Sequence, residues 1–386
     1  MNFEKMRQHI LSLIAAVAMT ATMPTMAHAD NGTFSIMTLN VDGLPGKFLF
    51  FNVNAEGPMS AGSEAISIYM ASKDCDIVAM QEDFNYRWEI WSRLFAAYEH
   101  DEWSGGVIYE EMQDADFVHP QNIKLPCDGL NMAWKHECRS TAYERVAWNH
   151  SFGKFSHDFD DIITKGFRRH EVTLQDGTEV VVYNMHMDAS SERDELLGND
   201  GKDREARLSQ WEQLRQHIME RLDDRPVLVV GDMNSYYYRD PIKTAFIDAI
   251  QATGRATAGD VWVEQQWGGI YPELGSEPQA DETLDKVLYI NPTDAKAVIT
   301  PVSVELDKAG YTKADGQPLG DHYPLIARFA VTPTKAEGIS TIGAPTPDDA
   351  DPCYDLGGKK IVNRKSENRK SPGGVVISRN GQKLVQ

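Results

Sequence analysis

Val227-Leu-Val-Val-Gly-Asp-Met-Asn234 is the stretch on which the reading of this 386-residue chain turns. Four apolar residues after Pro226 predict a strand buried on both faces, and Gly231 permits a sharp exit. Asp232 and Asn234 then stand together at the strand end. In an α/β sheet that is where ligands bind, because the loops there vary while the strands hold position. An Asp-x-Asn turn without chemistry is the alternative for this octapeptide taken alone.

Upstream, Lys5 and Arg7 precede an apolar run from Ile10 to Met19, and Ala27-His28-Ala29 supplies small residues at a signal-peptidase spacing. Residues 1–29 are expected to be a cleaved secretory signal, since the run is short of the ~20 residues that span a bilayer. The destination is then the medium, the cell surface or the periplasm. Residues 30–332 are enough for one large core or two modest ones. The formal charge of −20 is uneven: residues 1–29 carry +1 and residues 333–386 carry +3, which leaves −24 for residues 30–332. So acidic a surface argues against a general nucleic-acid binder, although a metal in the cleft would invert the field locally. Of the four cysteines, Cys127 and Cys138 would be able to pair in an oxidising compartment. Cys75 reads as a small buried hydrophobe, and neither it nor Cys353 has zinc-ligand spacing.

Thr33–Asn40 alternates as a strand, residues 63–72 have a helical pattern, and Asp76–Met80 is a second strand that stops at Gln81-Glu82-Asp83. Tyr86–Tyr98 suits a helix with Trp88, Trp91 and Leu94 inward, and residues 101–136 read as irregular. Tyr143–Trp148 and Arg168–Leu174 look like strands. The latter turns at Asp176-Gly177 into Glu179–His186, a hairpin signal. Helical periodicity returns over Asp203–Leu222, with Leu208, Trp211, Leu214 and Ile218 on one face, and again over Thr244–Gln251. Thr283–Ile290 is another strand, and the last follows the turn at Leu319–Pro324. Hairpins mixed with helical crossovers predict mixed sheets covered by helices.

Strand ends and adjacent turns thus carry Asn40, Glu82, His186, Asp232 with Asn234, and Asp321 with His322, while Asp285 adds a carboxylate within a strand. A hard cation such as Mg2+ takes oxygen ligands and keeps several waters, so Glu82 with Asn40 and Asp321 suffices; Mn2+ is the second choice. Two histidines beside metal and carboxylates match phosphoester hydrolysis, one group stabilising charge on the phosphoryl oxygens while a base activates water. Taken singly, each histidine reads more readily as a satisfied core residue, and Glu82 reads also as an ordinary edge carboxylate. Their joint occurrence in this order is what carries the reading.

Leu39-Asn40, Gln81-Glu82, Asn184-Met-His186, Gly231-Asp-Met-Asn234, Leu284-Asp285 and Gly320-Asp-His322 resemble the ordered motifs of the endonuclease/exonuclease/phosphatase superfamily, whose best-known member is deoxyribonuclease I. The resemblance runs from Thr33 to Phe329. It implies an α/β fold, a four-layer αββα sandwich of two mixed β-sheets covered by helices. It also implies that Glu82, assisted by Asn40 and Asp321, holds Mg2+, that Asp285 orients His322, that Asp232 and Asn234 position nucleophile and phosphate, and that His186 donates to a phosphoryl oxygen. The family usually has Ser where this chain has Gly320. Asp160-Asp-Ile-Ile-Thr-Lys165-Gly-Phe167 is similar to the Asp-x4-Lys-Gly stretch of the neutral sphingomyelinases, and Asn40–Pro45 and Gln81–Tyr86 to a secreted subgroup described as phospholipase C-like. Lys165 would reach a phosphate as a mobile point charge, with a surface salt bridge as the alternative.

The expected function is therefore a secreted Mg-dependent phosphodiesterase acting as a monomer on a phospholipid head group or a small phosphoester. Trp103, Trp262 and Trp267 are candidates for transient membrane-surface contact. A deoxyribonuclease I-like endonuclease ranks second, because Arg168-Arg169 is the domain's one arginine pair and nucleic acid is the less favoured partner. A non-catalytic binding domain ranks third. Beyond it, residues 333–352 have a linker composition. Residues 353–386 read as a hairpin pair resembling a short type IX secretion sorting signal, or as a disordered basic tail.

Overall fold

The computed structural model describes residues 32–44, 46–48, 51–52, 54, 56–100, 128–152, 165–190 and 200–334, and the short strands 375–377 and 383–385. The signal segment, Trp103, Cys127 with its pairing to Cys138, Asp160, most of the linker and Cys353 lie outside the described residues. The chain divides into two compact units, one up to Thr334 and one from Lys335.

In chain order the elements are β1 (Thr33–Asn40), β2 (Lys47–Phe48), β3 (Phe51–Asn52), α1 (Met59–Lys73), β4 (Ile77–Gln81), α2 (Arg87–Trp91), β5 (Tyr98–His100), β6 (Asn131–Lys135), β7 (Arg139–Ala147), β8 (Gly166–Thr173) and β9 (Glu179–His186). There follow α3 (Asp200–Arg221), β10 (Val227–Asp232), a π-helical turn (Lys243–Ile247), α4 (Asp248–Gln251), β11 (Ala256–Asp260), α5 (Val261–Gln266), β12 (Asp285–Pro292), β13 (Ala297–Leu306) and β14 (Leu325–Pro333). In the second unit β15 (Val375–Ile377) pairs antiparallel with β16 (Lys383–Val385).

Two six-stranded sheets result, in the orders β13-β14-β1-β4-β6-β5 and β11-β12-β10-β9-β8-β7. Each holds one parallel pair at its centre, β1 with β4 and β10 with β9, among antiparallel neighbours. Their facing surfaces interdigitate through Phe34, Ile36, Ile77, Val182, Leu228, Val230 and Phe329, all buried. Outside the first sheet, α1 and α2 press Ile66, Met70, Ile90 and Trp91 onto Met37, Leu39 and Val78. Outside the second, α3 and the π-helical turn press Trp211, Leu214, Ile218 and Phe246 onto Tyr183, Met185 and Val229. This is the expected four-layer sandwich: helices, sheet, sheet, helices. Strands buried on both faces are near-continuous hydrophobic runs, as in β10, which is buried over all six of its residues and apolar from Val227 to Val230.

Some local expectations differ. The helix read over Tyr86–Tyr98 ends after five residues, so Trp91 and Leu94 are buried while Trp88, on the turn facing out, is 54% exposed. On α3, Leu208 lies at the margin of the apolar stripe and is 43% exposed. β6 occupies part of the stretch read as irregular, and β11 and β13 carry no strong strand signal in the sequence. The hairpin at Asp176-Gly177 is as expected: Leu174 N–H donates to Thr178 and Gly177 takes φ 85°. Among the described residues no helix is long and apolar enough to cross a membrane.

Two glycines shape the end of the sheets where the parallel pairs stop. A side chain on Gly231 would stand 2.0 Å from the Met185 carbonyl, and its φ of 137° suits glycine alone. One on Gly43 would stand 2.3 Å from the Glu82 carbonyl, which accepts from the Gly43 N–H at 3.0 Å.

Candidate active site

Register brings the polar residues together. In the second sheet Asp232 at the end of β10 pairs with His186 on one side and Asp285 on the other. In the first, Asn40 at the end of β1 pairs with Gln81, so that Glu82 follows directly. Both parallel pairs run the same way in the sandwich, and their carboxyl ends meet across the gap: Asn40 Nδ2 donates to Glu82 Oε1 at 2.9 Å and to Asp232 Oδ2 at 3.1 Å. The chain turns sharply here. Asp42, Glu82 and Asn234 all have positive φ, of 52°, 54° and 46°. Asp and Asn tolerate this conformation through local hydrogen bonds, whereas Glu82 is held in it by the bonds its carbonyl accepts from Gly43 and Phe84.

Asp232 is the hub. Its Oδ1 accepts the Asn234 N–H at 2.9 Å, and its Oδ2 lies 3.4 Å from His186 Nε2 and 3.6 Å from His322 Nε2. His322 Nδ1 bonds to Asp285 Oδ2 at 2.6 Å. Burial alone would lower the pKa of His322, but Asp285 and then Asp232 outweigh it and raise it well above the ordinary value. His186 goes the other way: burial, then Lys165, lowers it well below the ordinary value against the pull of Asp232. Burial works to raise the Asp232 carboxyl, yet His322, His186 and the Asn234 N–H hold it below the usual range. At neutral pH the site therefore holds an imidazolium, a neutral imidazole and a carboxylate between them.

The remaining expected residues fall around this hub. Asn234 Nδ2 donates to the Met187 carbonyl at 3.0 Å, a bond that uses one of its two N–H groups. Lys165 is buried, its Nζ donates to the same carbonyl at 3.2 Å, and its charge bears on Glu82, His186 and Asp232. Asp321 is exposed at the rim of a cleft of about 230 Å³ that is lined by Tyr236, Glu282, Asp285, His322 and Tyr323.

Glu82, His186 and Asp232 each place a ligand atom within 4.8 Å of the others, as do Asp232, Asp285 and His322. Burial, followed by Asp321, pushes the Glu82 carboxyl up to about 7, and the same two causes push Asp42 up to about 7. Asp321 repels both Glu82 and Asp42, Asp42 adds to the repulsion on Glu82, and carboxylates crowded in this way are oxygen donors that fit a hard divalent cation, which would relieve that repulsion. Asp42 has no place in the expected site. Its signal was the breaker-rich Val41-Asp-Gly that bends it back beside Asn40, whose Oδ1 accepts the Asp42 N–H at 3.0 Å.

Beneath the site a polar seam ties the sheets together. Asn184 Nδ2 donates to the carbonyls of Met80 (3.0 Å) and Asn131 (2.9 Å), and its Oδ1 accepts from Gln81 Nε2 at 2.7 Å. The motif residue Asn184 thus holds the scaffold together and stands outside the chemistry.

The chain is similar in fold to several solved structures. One is beta toxin from Staphylococcus aureus (17% identity, 76% of this chain and 99% of that one, TM-score 0.49). Another is TDP2 from D. rerio complexed with single strand DNA product (15%, 77% and 98%, TM-score 0.49). A third is an endonuclease/exonuclease/phosphatase from Bacteroides vulgatus (14%, 78% and 99%, TM-score 0.49). No family model matches the chain. No curated protein matches it either.

Proposed function

We propose that the chain is an exported, Mg-dependent phosphodiesterase of the endonuclease/exonuclease/phosphatase type that hydrolyses a phospholipid head group or a related small phosphoester. The observation that carries this reading is the pair of histidines held on one Asp232 oxygen, at 3.4 and 3.6 Å, with Glu82 beside them.

The residues divide the work as follows. Asp285 fixes His322 so that its Nε2–H faces the attacked phosphate and offsets the charge that grows there. Neutral His186 turns Nε2–H from Asp232 to a phosphoryl oxygen. Asp232, with its carboxyl held low, orients the attacking water and takes its proton as the new P–O bond forms, the His322 imidazolium gives a proton to the leaving oxygen as the old P–O bond breaks, and the second N–H of Asn234 fixes the phosphate. Glu82, Asn40 and Asp321 would hold the cation, which when bound supplies Lewis-acid charge stabilisation to the phosphoryl oxygens. The cleft beside His322 favours a small or lipid phosphoester over a polynucleotide: away from His322 it is lined by Asp281, Glu282 and Asp321, with Lys308 the one lysine or arginine among its described lining residues, and a second phosphate would be repelled there.

Parallel assays of the purified mature chain on sphingomyelin vesicles and on duplex DNA, each with Mg2+ and with chelator, test the substrate. Chelator-sensitive release of phosphocholine is expected. Cleavage of DNA alone would replace the lipid reading by the nuclease one.

A further inference from the structure

We propose that the Tyr311 hydroxyl is a positioning donor for Asp321, holding that carboxylate toward the divalent cation; the inference rests on the metal site proposed above. Tyr311 is fully buried, with its ring set edge-on to Tyr69 at 5.0 Å and to Tyr323 at 6.3 Å. Its hydroxyl nonetheless has no hydrogen-bond partner among the described residues. A buried polar group left unpaired costs roughly 1–3 kcal/mol, so such a group marks a position that something else completes.

The direction of the hydroxyl says what. It lies 3.1 Å from the point where a Cβ on Gly320 would stand, and the Asp42 Cβ lies 3.8 Å from that same point. Tyr311 Oη therefore rests against the backbone immediately before Asp321, using the room that the missing side chain leaves. The carboxylates whose charge acts on it are Asp321, Asp42 and Asp285. Of these, Asp321 directly follows the Gly320 backbone against which the hydroxyl rests and stands exposed at the rim, whereas Asp285 and Asp42 are each engaged through one oxygen, by His322 and by Asn54. When Asp321 swings in to ligate, one of its oxygens accepts from Tyr311 and the other faces Glu82. A hydroxyl that fixes a ligating carboxylate in this way typically changes metal affinity by 10–100-fold.

The test compares Mn2+ binding to the whole chain by titration calorimetry in wild type, Tyr311→Phe, Gly320→Ala and the double variant Tyr311→Phe/Gly320→Ser. Tyr311→Phe should keep the melting temperature of the cation-free protein, because the hydroxyl has no partner there, and should bind Mn2+ at least 10-fold more weakly. Gly320→Ala should also weaken binding, since its Cβ crowds the hydroxyl, and it tests the idea independently should Tyr311→Phe fold poorly. The serine hydroxyl of the double variant should recover much of the loss. Wild-type affinity in both single variants overturns the proposal for Tyr311. Failure of the wild-type chain to bind Mn2+ overturns the metal reading itself.

Discussion

His186 and His322 approach the same Asp232 oxygen, yet their surroundings push them apart in pKa. Such divergence is how one site supplies different proton roles at one pH. Replacing either with Ala is expected to lower turnover by roughly 10²–10⁴-fold, since in the proposed mechanism each acts on the reacting groups, and His322→Ala should also lower the melting temperature by leaving buried Asp285 without its partner. Asp285→Asn, which leaves His322 in place without its anionic partner, should lower kcat while KM stays close to wild type. Glu82 gives a pH signature. With its carboxyl up at about 7 in the cation-free fold, it must lose a proton to ligate, so Mn2+ binding should release a proton and weaken as pH falls through 7. The same shift predicts that the cation-free protein becomes more stable as pH falls from 7 toward the ordinary glutamate range, because the folded state binds that proton more tightly than the unfolded one. These residues were legible as a set, because strand ends that stop on polar side chains are conspicuous. Asp42 and Tyr311 were not: each matters through a backbone turn or a missing side chain that becomes visible only when β1 and the segment before β14 lie side by side.

At the scale of elements, β4 and β9 belong to different sheets and are joined through Asn184. Asn184→Ala should destabilise the fold by roughly 2–3 kcal/mol in denaturant unfolding, since it strands the Gln81 amide and two carbonyls in a dry interior. A loss under 0.5 kcal/mol would show that water replaces the seam. Near the opposite end of the second sheet, Glu171 on β8 takes Arg225, just ahead of β10, and Arg169, and Arg225 above all holds its carboxyl down to about 2. A lowered carboxyl contributes stability that is present above the ordinary pKa and lost as pH falls toward 2. Glu171→Gln should therefore cost about 1–2 kcal/mol at pH 7, discounted for partial exposure, and the difference should vanish near pH 2. The strongly patterned strands β1, β4, β9, β10 and β12 were readable because both faces are buried. β11 and β13 escaped because β11 is short and carries Gly259, and because β13, at the sheet edge, alternates without a strong apolar run.

On the scale of the whole molecule, two sheets with the same internal direction deliver their parallel strand ends to one edge. Residues far apart in sequence, from Asn40 to His322, become a single cluster there. The architecture followed from the mix of hairpins and crossovers. The convergence did not, since no local pattern says that two sheets pack with their carboxyl ends aligned. Residues 30–332 carry −24 at neutral pH, so a divalent cation at this edge would serve catalysis and lower the barrier to an anionic substrate together, and activity should fall less with added salt than for a basic nuclease. The most direct test of the central claim is hydrolysis of a simple activated phosphodiester by wild type and by His322→Ala, each with Mg2+ and with chelator. The account predicts turnover in wild type with Mg2+ and a drop of at least 100-fold in each of the other three arms. Equal rates in all four would contradict it.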